Sequence, residues 1–441
     1  MSTTTAPRSL RIDLAVYLGF AAFALVTAVA SGYHTHSTWG VYATAGYVLA
    51  AGYTAFLLLS GREQARRWES RWVAAGVAFA VALLAPLADL VLRRIGGGDW
   101  ASSPAAWAAQ PEVWVIERSG SLLLRNGTPY VDVYALGRPP VVDDYTPYGP
   151  AMALFGLPRA LAVELGLADN DLALVLTDAR LWFLATAALC VWLSLRLLGY
   201  PPVPVAAAQI ALLCPATALT WAVAGPDLAI IGLLVLSLVL AVRAKYLLAA
   251  VLLALVVGAK LTAAPAVAVL FMLVVARGGW PKAAAFGGAF TGATAVVHLP
   301  VLVDPAAFVD HVLAFPAGQG AVPSPAASPL PGQLIAGTGP AGHTIALVLL
   351  GLAAAAIAAW VVLRPPATGA DAALRIAVGL GTAILFTPAT RWGYVVYPLA
   401  LLGARWCFPQ EDHRAVISPG GRPPERPGDT AGSAEATSSS G

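Results

Sequence analysis

Charge is what this sequence is short of. Of 441 residues, 23 are acidic and 26 basic, or 11% charged, where soluble domains carry about 25%. The deficit runs along most of the chain and excludes a surface that faces water throughout. Cysteine is scarce as well. Cys190, Cys214 and Cys407 each lie in or beside an apolar run, with neither a paired framework nor a metal-ligand spacing. They read as small buried apolar residues, and no metal is expected. The net charge of +3 gives no ground for a nucleic-acid partner. No internal repeat is evident. No small-residue cleavage site closes the first apolar run, so it reads as a retained helix rather than a signal peptide.

What fills the chain is apolar: 59% hydrophobic residues and a mean hydropathy of +0.74. A bilayer-spanning helix needs about 20 such residues. Candidate spans fall at 12–33, 42–60, 72–92, 175–197, 203–223, 226–243, 246–259, 263–277, 283–302, 343–363, 372–389 and 393–406. The expected fold is an all-α polytopic bundle of about 12 spans. Short spans suit helices that break to line a cavity. Basic residues in short loops set orientation. Arg8 and Arg11, the run Arg62, Arg66, Arg67 and Arg71, then Arg243 with Lys245, Arg277 with Lys282, Arg364 with Arg375, and Arg405 with Arg414 all fall on one side. Both termini are therefore expected in the cytoplasm. Arg93 with Arg94 is the exception, opening a loop placed outside. This alternation holds only if 150–166, apolar but interrupted by Pro158 and Arg159, is a re-entrant or interfacial helix. Three regions result: an N-terminal hairpin and loop (1–71), a membrane domain (72–406) with outer loops 93–149 and 303–342, and a polar tail (407–441) expected to be disordered. The Pro- and Ser-rich outer loop 303–342 is either a lid or a connector.

An ionisable residue in or beside a span is a functional hypothesis by default. Asp178, Arg180, Asp227, Lys260, His298 and Arg391 all fall at the outer helix ends. Taken singly, each could be solvated there or snorkel to headgroups. Lys260 is harder to dismiss, sitting alone in a break between apolar runs with Thr262 and Pro265 after it. Arg391 follows Pro388 in a similar break. Two fixed cations at the outer surface suit a phosphate, and a lipid phosphate is the natural ligand. The first outer loop adds Glu112, Glu117, Asp132, Asp143 and Asp144 among Trp114, Tyr130, Tyr134, Tyr145 and Tyr148. That mixture is common in sugar sites, and equally in an interfacial aromatic belt.

At these residues the chain resembles the GT-C glycosyltransferases, and among them family 87, which includes actinobacterial polyprenyl-phosphate-mannose-dependent mannosyltransferases of the cell envelope. The elements that carry the resemblance are Glu112-Val113-Trp114 through Arg118-Ser119-Gly120, Gly127 and Tyr130, then Tyr145-Thr146-Pro147-Tyr148-Gly149-Pro150. Gly258-Ala259-Lys260-Leu261-Thr262 and Pro388 to Tyr394 follow. The likeness runs over roughly 72–406. It departs from the family pattern in Glu112 for the usual Asp, in Ile116 for a Tyr, and in two helices before the loop helix where one is usual. The resemblance implies a GT-C fold and transfer of a sugar, mannose by inheritance, from a polyprenyl phosphate to a glycolipid or glycan acceptor outside the cell membrane, with inversion. It implies a carboxylate base: Glu112 first, Asp132 second, Asp143 or Asp144 third, with Glu117 paired to Arg118. Lys260, Arg391 and Arg180 would hold the donor phosphate. Tyr145, Tyr148, Asp144, Asp178, Asp227 and His298 would line the sugar and acceptor, and no cofactor is needed. The alternatives are a transporter or lipid flippase, which usually shows two similar halves and polar residues at mid-membrane, and a non-catalytic scaffold.

Overall fold

The computed structural model describes residues 8–61, 68–96 and 107–408. The expectations placed on Arg62, Arg66, Arg67, Arg414 and the tail from 409 lie outside the described residues. Among the described residues the chain is helical without strands, apart from an isolated bridge between Ala327 and Thr390.

Helices α1 (Arg8–Ala30) and α2 (His34–Ser60) form a tight hairpin. A Cβ on Gly40 would come within 2.5 Å of the Ala28 backbone, so glycine permits the close crossing. The next span, α3 (Arg71–Ile95), contains a π-helical turn at Ala80–Leu84. Such turns release carbonyls from the regular ladder, and the Trp39 indole donates to Ala82 O there at 2.9 Å. Asp13 is buried on α1. It accepts from Arg71 at 2.6 Å and from Gln209 at 3.0 Å, which ties three helices at one end of the bundle.

Helix α4 (Pro111–Asn126) crosses the short helical stretch Pro150–Gly156. A Cβ on Gly120 would lie 2.3 Å from the Gly156 carbonyl carbon. The stretch runs on into α5 (Leu157–Glu164), only two turns long. Residues 150–166 thus form a short helix packed on α4.

The longer helices that follow are α6 (Ala179–Leu198), the bent pair α7 (Val205–Leu213) and α8 (Pro215–Val223), α9 (Pro226–Val242), α10 (Tyr246–Ala259), α11 (Pro265–Val297), α12 (Pro340–Leu363), α13 (Gly369–Phe386) and α14 (Val396–Arg405). Helix α9 is apolar on all sides and buried along nearly its whole length, as a central helix must be. Helix α12 buries only 11% of its most apolar window, the mark of a peripheral, lipid-facing helix.

Among the described residues seven helices are long and apolar enough to cross a bilayer, or eight if α7 and α8 make one broken span, with α11 counted once. The expected count of twelve is not confirmed. Helices α9, α10 and α14 have 17, 14 and 10 residues, short of the roughly 30 Å hydrocarbon core at about 1.5 Å per residue. The runs read as 263–277 and 283–302 are two helical legs of α11 that meet at Gly279 (φ 73°, ψ 174°), just before Pro281; the chain folds back there, since Val297 and His298 return to the side of Gly258.

The second long loop is pinned rather than loose. Ser328 N donates to Thr390 O and Thr390 N to Ala326 O, both at 2.9 Å. Earlier in the loop, His311 is fully buried. Its Nδ1 accepts from Thr146 N and its Nε2 donates to Val131 O, each at 2.7 Å. This clamps the two outer loops together through a neutral imidazole. Burial pulls His311 from its usual 6.5 down to about 4. A depressed folded pKa means the neutral clamp contributes its full stability above about 6.5 and loses it as pH falls toward 4. Amide exchange in segments 130–146 and 305–330, corrected for intrinsic rates, is expected to be faster at pH 4.5 than at pH 7. Protection unchanged between the two would count against the clamp.

Candidate active site

The ionisable residues singled out above lie toward one end of the bundle, away from the Asp13–Arg71 tie, and sort into two groups. The first begins at Lys260, which ends α10 in an extended conformation before a 3-10 turn at Leu261–Ala263. Its ammonium contacts the Asp227 carboxylate. Asp227 sits in the first turn of the buried α9 and also accepts from the Tyr397 hydroxyl at 2.7 Å. Three tyrosine rings surround the ammonium, with centroids at 4.5 Å (Tyr394), 5.6 Å (Tyr397) and 5.9 Å (Tyr148). A cation this desolvated gains from both the carboxylate and the ring faces. Tyr148 is held in place by its neighbour. Gly149 N donates to Ala259 O at 2.9 Å, and a Cβ on Gly149 would meet Gly258 O at 2.2 Å. His298 stands behind the same turn, with Cε1 3.6 Å from where a Gly258 Cβ would be. Its Nδ1 donates to Thr294 O at 2.8 Å.

Glu112 occupies the first turn of α4, after Pro111, and pairs with Arg391. Burial suppresses ionisation of the Tyr148 hydroxyl, and the charges of Glu112 and Asp227 add to that effect. The Glu112–Arg391 pair and the Lys260–Asp227 pair therefore share Tyr148. Asp143 faces the same region. Burial, and then the neighbouring charge of Glu112, push its carboxyl above the usual range.

The second group is enclosed. Arg94 bridges Glu117 (2.7 and 2.9 Å) and Asp178 (2.7 Å). Asp178 also accepts from the Arg180 side chain at 2.7 and 2.9 Å and caps α6 through Arg180 N. Arg180 Nη1 donates to Ala108 O at 2.8 Å. Arg94, Asp178 and Arg180 are all buried to 2% exposure or less. Glu117 follows Glu112 by five positions on α4, about 140° around the helix and about 7.5 Å along it. One face of α4 is thus anchored by ions while the other presents Glu112. Removing one partner of such a pair leaves a buried charge uncompensated, costing about 3–5 kcal/mol. Arg94→Met is therefore expected to lower the unfolding temperature of the detergent-solubilised protein sharply. A shift of under about 2 °C would contradict this role.

The sequence reading named most of these residues without their pairings. Glu117 pairs with Arg94, and Arg118 turns instead to Asp144 O (2.8 Å) and Thr146 Oγ1 (3.3 Å). Arg94, the odd basic residue in the orientation argument, is neutralised by carboxylates. Asp178 and Arg180 belong to the enclosed group rather than to the Lys260 group. Asp132 is exposed and caps Tyr134 N at 2.9 Å. In Asp144 burial is outweighed by hydrogen bonds from Arg138 and Val141 N, which hold its carboxyl below the usual range. Tyr145 stacks on Phe315 at 4.2 Å and accepts from Ala321 N at 2.9 Å, tying loop to loop. Tyr397, Gln110 and His36 were not anticipated. Tyr397 lies in an apolar helix with nothing local to mark it. His36 and Gln110 sit in polar stretches (HTHST, AAQPE) that only the fold brings together. Among the described residues no group of three or more His, Cys, Asp or Glu is arranged to hold a metal ion.

The model of glycosyltransferase family 87 matches residues 145–388, more than half of the chain. The match takes in Tyr148, Asp178, Arg180, Asp227, Lys260 and His298. Glu112 lies before it and Arg391 after it. No curated protein and no solved structure matches the chain. A helical membrane protein with this match over most of its buried ionic residues has one family to belong to: the chain is a member of glycosyltransferase family 87.

Proposed function

We propose that this membrane glycosyltransferase takes a sugar, mannose, from a polyprenyl-phosphate donor and passes it with inversion to a glycolipid or glycan hydroxyl. The bundle lies in the cell membrane with both termini in the cytoplasm and the reaction on the opposite side. The observation that carries this reading is the pairing of one carboxylate and one cation twice over, Glu112 with Arg391 and Asp227 with Lys260, around Tyr148. The end of the bundle bearing Asp13, Arg71, Arg243, Lys245 and Lys282 is the opposite one, which supports the orientation.

In this reading the acceptor oxygen attacks the anomeric carbon while Glu112 takes its proton. The bond from that carbon to the phosphate oxygen breaks, and its electrons leave with the lipid phosphate. Lys260 and Arg391 offset the charge that grows there. A single displacement inverts the anomeric centre. Asp227 and Tyr397 hold the Lys260 ammonium against the ring faces. The ammonium has three donors, and Asp227 needs one. Asp132, Asp144, Arg180 and Asp178 are given no chemical step; their bonds serve the loops and α4.

The purified chain in liposomes, given a radiolabelled polyprenyl-phosphate mannose and an extracted glycolipid acceptor, is expected to yield labelled product of inverted configuration. Movement of the donor across the bilayer without covalent product would instead favour a flippase.

A further inference from the structure

Resting on that reading, we infer that the N-terminal hairpin completes the active site through His36, a positioning residue for the base Glu112. The hairpin lies entirely outside the segment matched by the family. His36 is in the first turn of α2, next to the buried Thr35 and one turn from the fully buried Trp39. Three contacts fix this turn: Trp39 to Ala82 O at 2.9 Å, Arg93 to Thr38 Oγ1 at 3.2 Å, and the close crossing of Gly40 over α1. The ring is therefore set in place by the fold.

His36 Nε2 lies 3.3 Å from the side-chain nitrogen of Gln110. An amide nitrogen can only donate, so Nε2 is the acceptor and Nδ1 carries the proton, 3.4 Å from Thr35 Oγ1. Gln110 is the N-cap of α4, and its backbone N–H donates to Val223 O at 3.3 Å. Two residues on is Glu112, whose charge reaches the His36 ring. Gln110 makes no side-chain cap bond to its own helix. Its side chain points to the hairpin instead, so α2 sets the start of α4 and with it the aim of Glu112. The ion-paired face of α4 further along, at Glu117, fixes its other end. The hairpin thus supplies the second point that a rigid base requires.

Four chains are compared in liposomes with the radiolabelled polyprenyl-phosphate mannose: wild type, His36→Ala, His36→Gln and Glu112→Gln. A misaimed base costs about ten- to a hundredfold in kcat, so His36→Ala is expected to lose that much. Its KM for the donor is expected to stay within about twofold of wild type, and its unfolding temperature within about 2 °C. His36→Gln, whose Oε1 takes the place of Nε2 and can still accept from Gln110, is expected to recover most of the rate. Full kcat in His36→Ala beside an inactive Glu112→Gln overturns this inference and leaves the proposed function standing. A loss that tracks a fallen unfolding temperature, with no recovery in His36→Gln, overturns it too. A wild-type chain that forms no product overturns the proposed function and this inference with it.

Discussion

Glu112→Gln is expected to reduce kcat by about 10²–10⁴, the usual contribution of a general base. The donor KM is expected to change little, and the protein to stay folded in the membrane. Gln keeps the shape of Glu112 and one oxygen that can accept from Arg391, but it cannot take a proton. Glu112 is part-exposed at 17% and Arg391 at 34%, so the orphaned guanidinium keeps access to water and the stability cost is modest. The competing carboxylate is Asp143, which burial and the charge of Glu112 push toward the protonated form. Asp143→Asn is accordingly expected to retain activity within about tenfold of wild type. Initial rates of labelled product at saturating donor decide the matter. An active Glu112→Gln beside an inactive Asp143→Asn would transfer the base role to Asp143.

Lys260→Met is expected to damage both turnover and fold. Loss of one charge that stabilises a leaving group costs about 10²–10³ in kcat. The same change strands Asp227, which is 4% exposed and keeps only the Tyr397 hydroxyl, and breaking a buried pair from one side costs about 3–5 kcal/mol. The two effects come apart in a second variant. Lys260→Met with Asp227→Asn removes both charges, and its unfolding temperature is expected to return most of the way to wild type. Its turnover is expected to stay low. Recovery of turnover along with stability would reduce Lys260 and Asp227 to a structural pair. Arginine is a poor substitute here, since three tyrosine rings and a carboxylate enclose a compact ammonium rather than a planar fork.

How much of this was legible in the sequence depends on the range of the interaction. The helical breaks at Lys260 and Arg391 were readable, because Pro265 and Pro388 and the polar residues beside them act locally on the backbone. Residues 150–166 were kept from being a span on the positive-inside argument, and they fold as a 3-10 stretch and a two-turn helix, neither of them among the helices long enough to cross. The count of about twelve spans is not confirmed, because apolar composition does not distinguish a full crossing from a helix such as α10, which stops early at a charged turn. Glu117 was assigned to its neighbour Arg118, the nearest cation in the chain, whereas its partner Arg94 is 23 positions away. His36 went unread because its hydrogen-bond partner is 74 positions away and no periodicity connects them.

By itself the sequence determined that this chain lives in a membrane, that it is helical, and which few side chains carry charge at the helix ends. Those properties follow from composition and from backbone preferences over one or two turns. Only the tertiary structure decided which carboxylate meets which cation, and so which are enclosed anchors and which face a possible substrate. That choice depends on through-space distances of a few ångströms between helices far apart in the chain. In a medium of low dielectric those distances set the energy.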